Sequence, residues 1–396
     1  MNKRPLSQTD ATTALPDPLQ RAPGGAAERG RGATFNPANR FRREEREAYD
    51  DGWHGAETGA EDTAAETVKP LLITTVTVQR ARTIIARNDS PDIPFNQSIN
   101  PYQGCEHGCV YCYARPSHAH LDLSPGLEFE TKLFAKPNAA ALLRAELGKP
   151  GYRCDPIALG TNTDPYQPIE REWKITRQIL EVLADHEHPF SIVTKSALIE
   201  RDLDLIAPMA AKGMARVYFS ITTFDRDIAR TLEPRAAAPH RRLQAVNALS
   251  AAGVPVGVLI APIIPQLTDQ DLEAILAAAA ASGARRAGWV MLRLPREVAP
   301  LFRAWLNEHY PQRAAHVMSL IQQIRGGRDN DPHFGSRMRG AGEFAELIAK
   351  RFALACQRNG LNRERAPLNT SHFQPPAVPV MAAGTARDAR RQLDLF

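Results

Sequence analysis

The stretch that decides the fold is Pro101-Tyr-Gln-Gly-Cys105-Glu-His-Gly-Cys109-Val-Tyr-Cys112-Tyr-Ala-Arg115, which contains three of the five cysteines of the chain. Their spacing is Cys-x3-Cys-x2-Cys, and a glycine directly precedes two of them, so the backbone can fold and bring the three sulfurs toward one centre. Thiolates are the soft ligands that hold zinc and iron–sulfur clusters. Three thiolates leave one coordination position open, which is typical of a reactive centre rather than a structural one.

Zinc is the alternative occupant, with His107, His118 or His120 as the fourth ligand. A closed zinc site usually combines two ligands from one loop with two from another. The sequence has no second pair of cysteines or histidines at such a spacing, which favours an iron–sulfur cluster. The other cysteines, Cys154 and Cys356, are too few for a disulfide framework and agree with a reducing compartment.

The composition is that of an ordinary soluble protein. The 396 residues are 43% hydrophobic and 23% charged, and no apolar run has the length needed to span a bilayer. Residues 1–20 lack the apolar segment of a secretory signal, so we expect a cytoplasmic protein with no membrane partner. The net charge of +5 favours a polyanionic partner, but only weakly.

Strand and helix patterns alternate along the chain after the cysteine stretch. A strand is expected at 127–134, and nearly continuous apolar strands at 156–160, 190–194, 216–222 and 254–263 each precede a helix pattern. This succession predicts an α/β fold with a parallel sheet covered by helices. A partial (β/α)6 barrel, similar to a TIM barrel, explains it better than a doubly wound sheet, because no Gly-x-Gly-x-x-Gly follows the first strand.

Three segments are expected along the chain. Residues 1–68 and 362–396 are rich in proline, glycine, alanine and charge and poor in aliphatic residues, which predicts disordered tails. Residues 69–361 form the barrel core with a C-terminal helical extension. In the first tail, residues 35–41 are candidates to dock onto the core. In the extension, residues 326–340 form a basic loop, and the basic segment 325–339 either contacts phosphates or is a solvated loop.

The loops at the carboxyl ends of the strands carry the chemistry in a barrel of this kind. Polar segments follow the predicted strands at these ends, at 161–164, 194–196 and 220–223. The cysteine stretch follows the predicted first strand, 97–102, and is therefore expected at the same mouth of the barrel.

The stretch resembles the Cys-x3-Cys-x-aromatic-Cys signature of the radical S-adenosylmethionine (SAM) superfamily, with Tyr111 as the aromatic residue. Residues 71–362 further resemble the spore photoproduct lyase branch, the DNA repair photolyase-like proteins. They share its Gly-Cys-x-His-x-Cys-x-Tyr-Cys-Tyr stretch and the polar residues that end the second to fourth strands. The resemblance implies a radical SAM type of barrel and a [4Fe–4S] cluster bound by Cys105, Cys109 and Cys112, with SAM on the fourth iron.

The resemblance also implies which residues contact SAM. Tyr111 would lie against the adenine, and Ala261 would line the same group. Thr163 and Asp164 match a Ser-Asp pair of the branch, and Lys195 and Ser220 match its lysine and serine. The SAM-binding residues that the resemblance implies are then Tyr111, Thr163, Asp164, Lys195, Ser220 and Ala261. A lysine suits the carboxylate of SAM, and hydroxyls satisfy polar groups without adding charge.

The implied activity is that of a radical SAM enzyme. With a low-potential electron donor, reductive cleavage of SAM gives methionine and a 5′-deoxyadenosyl radical, which abstracts hydrogen from a substrate in the mouth. In the lyase the substrate is a crosslinked thymine dimer, and a cysteine returns the hydrogen with the help of tyrosines, which Tyr111 and Tyr113 match. Thr161 stands where that cysteine is expected. Because a hydroxyl is a poor hydrogen-atom donor, a different lesion, another nucleic-acid substrate or a different hydrogen return is predicted.

The chain ends in Gln392-Leu-Asp-Leu-Phe396, which resembles the pentapeptide with which bacterial polymerases and repair proteins bind the replication sliding clamp. The residues expected to bind this partner are Gln392, Leu393, Asp394, Leu395 and Phe396. Damaged DNA is therefore the favoured substrate. Two alternatives stay open: a radical SAM enzyme acting on RNA, a peptide or a small metabolite, and a non-catalytic metal-cluster protein that binds nucleic acid.

Overall fold

The computed structural model describes residues 30–41, 72–364 and 366–376. The strands of these ranges are β1 (Thr75–Val78), β2 (Ile85–Arg87), β3 (Gln97–Ile99), β4 (Tyr102–Gln103), β5 (Lys132–Ala135), β6 (Ile157–Leu159), β7 (Phe190–Thr194), β8 (Ala215–Ser220), β9 (Val256–Ile263) and β10 (Arg286–Met291). The helices are α1 (Leu127–Thr131), α2 (Ala139–Leu147), α3 (Glu170–Trp173), α4 (Ile175–Asp185), α5 (Leu203–Ala211), α6 (Arg226–Leu232), α7 (Pro239–Ala251), α8 (Leu272–Ala281), α9 (Val298–His309), α10 (Pro311–Ile324), α11 (Ser336–Arg339) and α12 (Glu343–Arg358). Short 3₁₀ helices cover Arg115–Leu121, Ala197–Asp202 and Asp269–Asp271.

The main sheet has the strand order β10-β9-β8-β7-β6-β3-β2. Neighbouring strands from β3 to β10 pair in parallel, and β2 pairs antiparallel with β3 at one edge. Within the described residues, six parallel strands are thus joined by connections that contain helices, and β10 and β2 leave the barrel open. This confirms the predicted α/β fold with a partial (β/α)6 barrel.

The parallel strands are buried because helices cover one side of the sheet and the other side lines the barrel. Ile99, Leu159, Ile192, Val217 and Val258 have no exposed surface. Such strands read as nearly continuous apolar runs, which is why they could be predicted. Their carboxyl ends meet at one mouth of the barrel, where the cysteine stretch also lies.

The strand predicted at 127–134 is instead α1 followed by β5. α1 buries Phe129 and Glu130, and the Glu130 carboxylate pairs with the buried guanidinium of Arg115. This tertiary contact outweighs the local apolar pattern. β5 pairs with β1 and β4 in a separate three-stranded sheet beside the barrel.

Residues 30–41 are ordered, in contrast to the disordered tail predicted for residues 1–68. We call them the strap, because their backbone lies across the cysteine stretch. The backbone N–H groups of Gly32 and Ala33 donate to the Glu130 carboxylate at 3.0 and 2.9 Å, and Ala33 and Phe35 are buried. The docking expected for residues 35–41 is present, and the docked segment also includes the residues before 35, such as Gly32 and Ala33. Local composition cannot reveal it, since the partner carboxylate is far away in the sequence.

Residues 366–376 also pack onto the barrel, in contrast to the disordered tail predicted from residue 362. The backbone N–H groups of Asn369 and Gln374 each donate at 2.9 Å to a carbonyl just beyond a helix end. The Phe373 ring packs edge to face against a buried histidine. These contacts again join residues that are distant in the sequence.

The predicted clamp-binding peptide, 392–396, lies outside the described residues. Within the described ranges, no helix is long and apolar enough to cross a membrane.

Candidate active site

The cysteine loop, residues 104–112, leads from β4 toward the 3₁₀ helix at Arg115–Leu121. Gly104 and Gly108 have φ values of +74° and +68°, which side chains disfavour. A Cβ at Gly108 would lie 2.8 Å from Oε2 of Glu130. The backbone N–H of Cys105 donates to a carbonyl of α1 at 3.0 Å, and that of Val110 to the last residue of α6 at 3.2 Å. The two glycines therefore allow the loop to fold tightly against its neighbours.

Arg115 holds the loop from behind. It is fully buried, and its guanidinium donates to the carbonyls of Gly108 at 3.2 Å and Cys109 at 2.9 Å, to two carbonyls before α1 and to the Glu130 carboxylate. A buried ion pair stabilises a fold only when its remaining donors and acceptors are also satisfied. Here the strap completes the acceptors of Glu130, so the loop, the pair and the strap form one unit.

The three cysteines are free thiols, and the charges of Cys109 and Cys112 act on the pKa of Cys105. Burial raises the pKa of Cys105, and Asp164 and Cys109 add to this effect. Burial also raises the pKa of Cys109 to about 12 against the opposing charge of Lys195. A bound metal centre would supply the positive charge that stabilises the thiolates. The donor set therefore fits a metal–sulfur centre.

A cluster and a single ion require different arrangements of these thiols. Among the described residues, no group of three or more His, Cys, Asp or Glu side chains is arranged to hold one metal ion. An iron–sulfur cluster does not require such a group, because each cysteine binds a different iron atom.

Asp164, which follows β6, joins the ends of two strands. Its carboxylate accepts hydrogen bonds from the Lys195 N–H and the Thr194 hydroxyl, both at 2.7 Å, and lies 3.4 Å from Nδ1 of His107. Although burial opposes ionisation, His107 and these donors lower the pKa of Asp164 to about 2. The charged carboxylate thereby fixes the backbone from which Lys195 projects.

Lys195 brings a cation close to the cysteine loop. Its Nζ lies 5.7 Å from the ring centroid of Tyr111, and within the described residues it makes no hydrogen bond or ion pair. Burial works against its charge, but Cys109, in its thiolate form, and the carboxylate of Glu233 raise the pKa of Lys195. A charged amine with unused donors can bind an anionic carboxylate.

Glu233, which follows α6, is a buried carboxylate that sequence reasoning missed. It accepts hydrogen bonds from the hydroxyls of Tyr111 and Thr222, the latter at 2.7 Å, and from the guanidinium of Arg242. Burial opposes its charge, yet Arg242 and Lys195 lower the pKa of Glu233 to about 2. The Glu233 carboxylate therefore holds Tyr111 in place through the tyrosine hydroxyl. No residue pattern marks it, because α6 is short and was not predicted.

The other predicted SAM-contact residues lie on neighbouring strand ends. The hydroxyl of Ser220 donates to the carbonyl of Ala261 at 3.1 Å, and the hydroxyl oxygen of Thr222 lies 3.2 Å from the same carbonyl oxygen. Thr163 is buried, and its hydroxyl donates to the carbonyl of Tyr102 at 3.1 Å. The structure thus brings the predicted residues of four strand ends together around the cysteine loop. Their contacts with SAM stay predictions.

Tyr113 lies outside this buried group. Half of its surface is exposed, its hydroxyl donates to the carbonyl of Thr161, and its ring centroid lies 5.5 Å from the guanidinium carbon of Arg293. Thr161 therefore lies beside Tyr113, and its match to the cysteine of the lyase stays a prediction. Cys154 precedes β6 and lies at the opposite end of that strand.

Comparisons with known proteins agree with this geometry. The family model of the Radical SAM superfamily matches residues 99–279, from the end of β3 into α8. An uncharacterized protein of Mycobacterium tuberculosis is 38% identical over 260 residues, which cover 65% of this chain and 75% of that protein. An uncharacterized protein of Methanocaldococcus jannaschii is 31% identical over 173 residues, which cover 44% of this chain and 62% of that protein.

A solved structure shows the same fold. Spore photoproduct lyase complexed with dinucleoside spore photoproduct aligns with a TM-score of 0.52 over 72% of this chain and 80% of that chain, at 17% identity. At this identity the likeness concerns the fold alone. Members of the Radical SAM superfamily use a [4Fe–4S] cluster and SAM, and the three free thiols fit that cluster. Through its matched domain and its relatives, the chain belongs to the radical SAM superfamily, with these two cofactors.

Proposed function

We propose that the protein acts on damaged DNA, in a lyase-like reaction that a 5′-deoxyadenosyl radical initiates. The observation that carries the proposal is the barrel shared with spore photoproduct lyase, which has been solved with a dinucleoside lesion. The polar residues at the mouth of this chain support it, because they lie on the strand ends that a substrate above the cluster would meet.

The cofactors supply the radical when they are bound, and the residues of this chain position them. Lys195 has unused donors for the carboxylate of SAM. Tyr111, held by Glu233, would lie against the adenine, and the hydroxyl of Ser220 donates to the carbonyl of Ala261. The strap packs against the backbone of the buried cysteine loop and would limit the access of water to the loop from that side.

Hydrogen return needs a donor other than the thiol of the lyase. The hydroxyl of Thr161 is a poor donor of hydrogen atoms. Tyr113 has a weaker O–H bond than an alcohol, its hydroxyl lies on the carbonyl of Thr161, and its ring is half exposed at the mouth. We therefore assign the return step to Tyr113: its O–H bond breaks as the hydrogen atom passes to the substrate radical, and the phenoxyl radical left on Tyr113 regains one electron from the low-potential donor and a proton from solvent at its exposed side.

Reduced holoprotein prepared without oxygen provides the test. We expect irradiated DNA to stimulate formation of 5′-deoxyadenosine more than undamaged DNA or RNA does. Stimulation by RNA alone would favour an RNA substrate, and equal rates with and without any nucleic acid would contradict the proposal.

A Thr161→Cys variant tests the missing thiol. If that thiol alone separates this chain from the lyase, the variant should gain activity on spore photoproduct that the wild type lacks. No gain would indicate that the mouth is built for another lesion.

The same proposal includes a cytoplasmic location, a low-potential electron donor and recruitment by the replication clamp. The clamp contact rests on the sequence of residues 392–396. In a pull-down, the clamp should capture the full-length protein but not a variant that lacks residues 393–396. Equal capture of both forms, or of neither, would contradict this contact.

A further inference from the structure

Arg293 lies two residues beyond β10, at the carboxyl end of the sixth parallel strand, and so at the mouth of the barrel. Its side chain is partly buried beside Tyr113. Within the described residues, its hydrogen-bond partner is the sulfur of Met338, 3.7 Å from one terminal nitrogen, and its Nε is buried without a partner. A thioether is a weak acceptor. Within the described residues, this guanidinium therefore makes no hydrogen bond to an oxygen atom.

The neighbouring arginines are bound to protein acceptors. Arg325 donates to four backbone carbonyls at the end of β10 and in α11. Arg337 forms two hydrogen bonds with Asp92, at 2.5 and 2.7 Å, and Arg339 donates to a backbone carbonyl at 2.7 Å. We call Arg293, Arg325, Arg337 and Arg339 the arginine rim. Arg293 is the member whose terminal nitrogens lack an oxygen acceptor in the described part of the chain.

The surroundings of Arg293 favour an anion. Asp92 faces this group and is already paired with Arg337, and the positive charge of Arg337 adds to that of Arg293. A guanidinium taken partly out of water without an acceptor is costly unless a ligand supplies one. Its planar fork matches anions that offer two oxygens, such as phosphates.

The ligand can be narrowed further. Lys195 lies beside Tyr111 of the cysteine loop, whereas Arg293 lies beside Tyr113, so the two cations can bind different anionic groups. The rim also extends beyond one side chain: Phe334 is exposed and its ring centroid lies 4.6 Å from the guanidinium carbon of Arg337. An extended ligand that combines phosphates with flat bases fits such a surface.

We propose that Arg293 binds a backbone phosphate of the nucleic-acid substrate, beside Tyr113 at the mouth. This inference rests on the proposed function, since it names a group that holds the DNA there. The two phosphodiester oxygens would accept hydrogen bonds from the two terminal nitrogens of the fork, because Nε is buried.

Fluorescence anisotropy of the holoprotein with an irradiated DNA oligonucleotide, measured over a range of salt concentrations, tests this site. The Arg293→Gln variant should bind about tenfold more weakly, and the slope of log K against log salt should fall by about one. Arg293→Lys keeps the charge but lacks the guanidinium fork, and its affinity should lie between those of the wild type and of Arg293→Gln. The matched control is Arg144→Gln, which removes an equal charge where Arg144 pairs with Asp185 on the helical surface, and should match the wild type. Cluster absorbance checks that each variant is folded.

The outcomes separate this site from the proposed function. An unchanged slope and affinity in Arg293→Gln would overturn the site, even if irradiated DNA stimulates formation of 5′-deoxyadenosine. A reduced slope without any stimulation by DNA would support the site and contradict the proposed function. Dependence on Arg293 for RNA but not for DNA would support a phosphate site for RNA and contradict the DNA substrate. A wild-type holoprotein that binds neither nucleic acid would overturn both.

Discussion

The cysteine loop and the arginine rim differ in how completely their polar groups are paired. Behind the loop, the guanidinium of Arg115 is saturated by carbonyls and by Glu130, whose other acceptors are taken by the strap. At the rim, Arg293 lacks an oxygen acceptor within the described residues. Tyr113 joins the two regions, since it directly follows the loop and contacts Arg293. A site for a permanent cofactor is organised by the protein itself, whereas a site for a transient ligand keeps donors free.

The largest effect is expected when a cluster ligand is removed. A single serine substitution should abolish both cluster binding and formation of 5′-deoxyadenosine, because each thiolate holds its own iron. The three variants are Cys105→Ser, Cys109→Ser and Cys112→Ser. The matched control is Cys154→Ser, which lies before β6 and should keep both. Iron analysis and product assays check this; a serine variant that retains iron and product would show that its cysteine is not a ligand.

Substitutions in the cysteine loop and in the arginine rim should also differ in their effect on the free energy of unfolding. Arg115→Ala leaves the charge of Glu130 buried and unpaired, so we expect a loss of about 3–5 kcal/mol in the free energy of unfolding. Arg293→Ala removes no hydrogen bond to oxygen in the described structure and should cost less than about 1 kcal/mol. Urea unfolding of both apoproteins measures the difference. Equal losses would contradict the contrast between the two regions.

The strap provides a narrower test of the closed region. A Cβ at Gly32 would lie 1.8 Å from the carbonyl oxygen of Gly108, so Gly32→Val must displace the strap from the loop. We expect a loss of about 1–3 kcal/mol in the apoprotein and faster bleaching of the holoprotein in air. Ala38→Val adds similar bulk at an exposed position of the strap and should leave both unchanged. If both variants bleach at the wild-type rate, the strap does not protect the cluster.

The charge of Glu233 predicts a smaller, pH-dependent effect. Because its pKa is lowered from 4.5 to about 2 in the folded protein, Glu233 stabilises the fold above its unfolded pKa, and this contribution is lost as the pH falls from 4.5 toward 2. In Glu233→Gln the free energy of unfolding of the apoprotein should therefore depend less steeply on pH in that window. Comparison with the wild type cancels the contribution of buried histidines. Identical pH profiles would indicate that Glu233 is not charged in the fold.

The parts that could be predicted from the sequence are those with local signals. The cysteine spacing, the apolar strands and the polar residues at their ends lie in continuous stretches, and the structure brings Asp164, Lys195 and Ser220 to one mouth.

The missed parts depend on partners that are distant in the chain. Glu130 organises the strap and the loop, Glu233 holds Tyr111, and the unused donors of Arg293 are defined by what its neighbours bind instead. No window of sequence contains both members of these pairs.

The smallest expected effect concerns the rim itself. Asp92→Asn removes the carboxylate that occupies Arg337 and leaves a second arginine with unused donors. If free donors are what the rim provides, the variant should bind irradiated DNA about two- to fivefold more tightly, with a salt slope that is steeper by up to about one. Asp185→Asn makes the same change in charge beside Arg144 and should have no effect in the same anisotropy measurement. Weaker binding by Asp92→Asn would show that Asp92 orients Arg337 for the ligand. The rim would then be organised in advance like the cysteine loop, and the contrast between the two regions would apply to Arg293 alone.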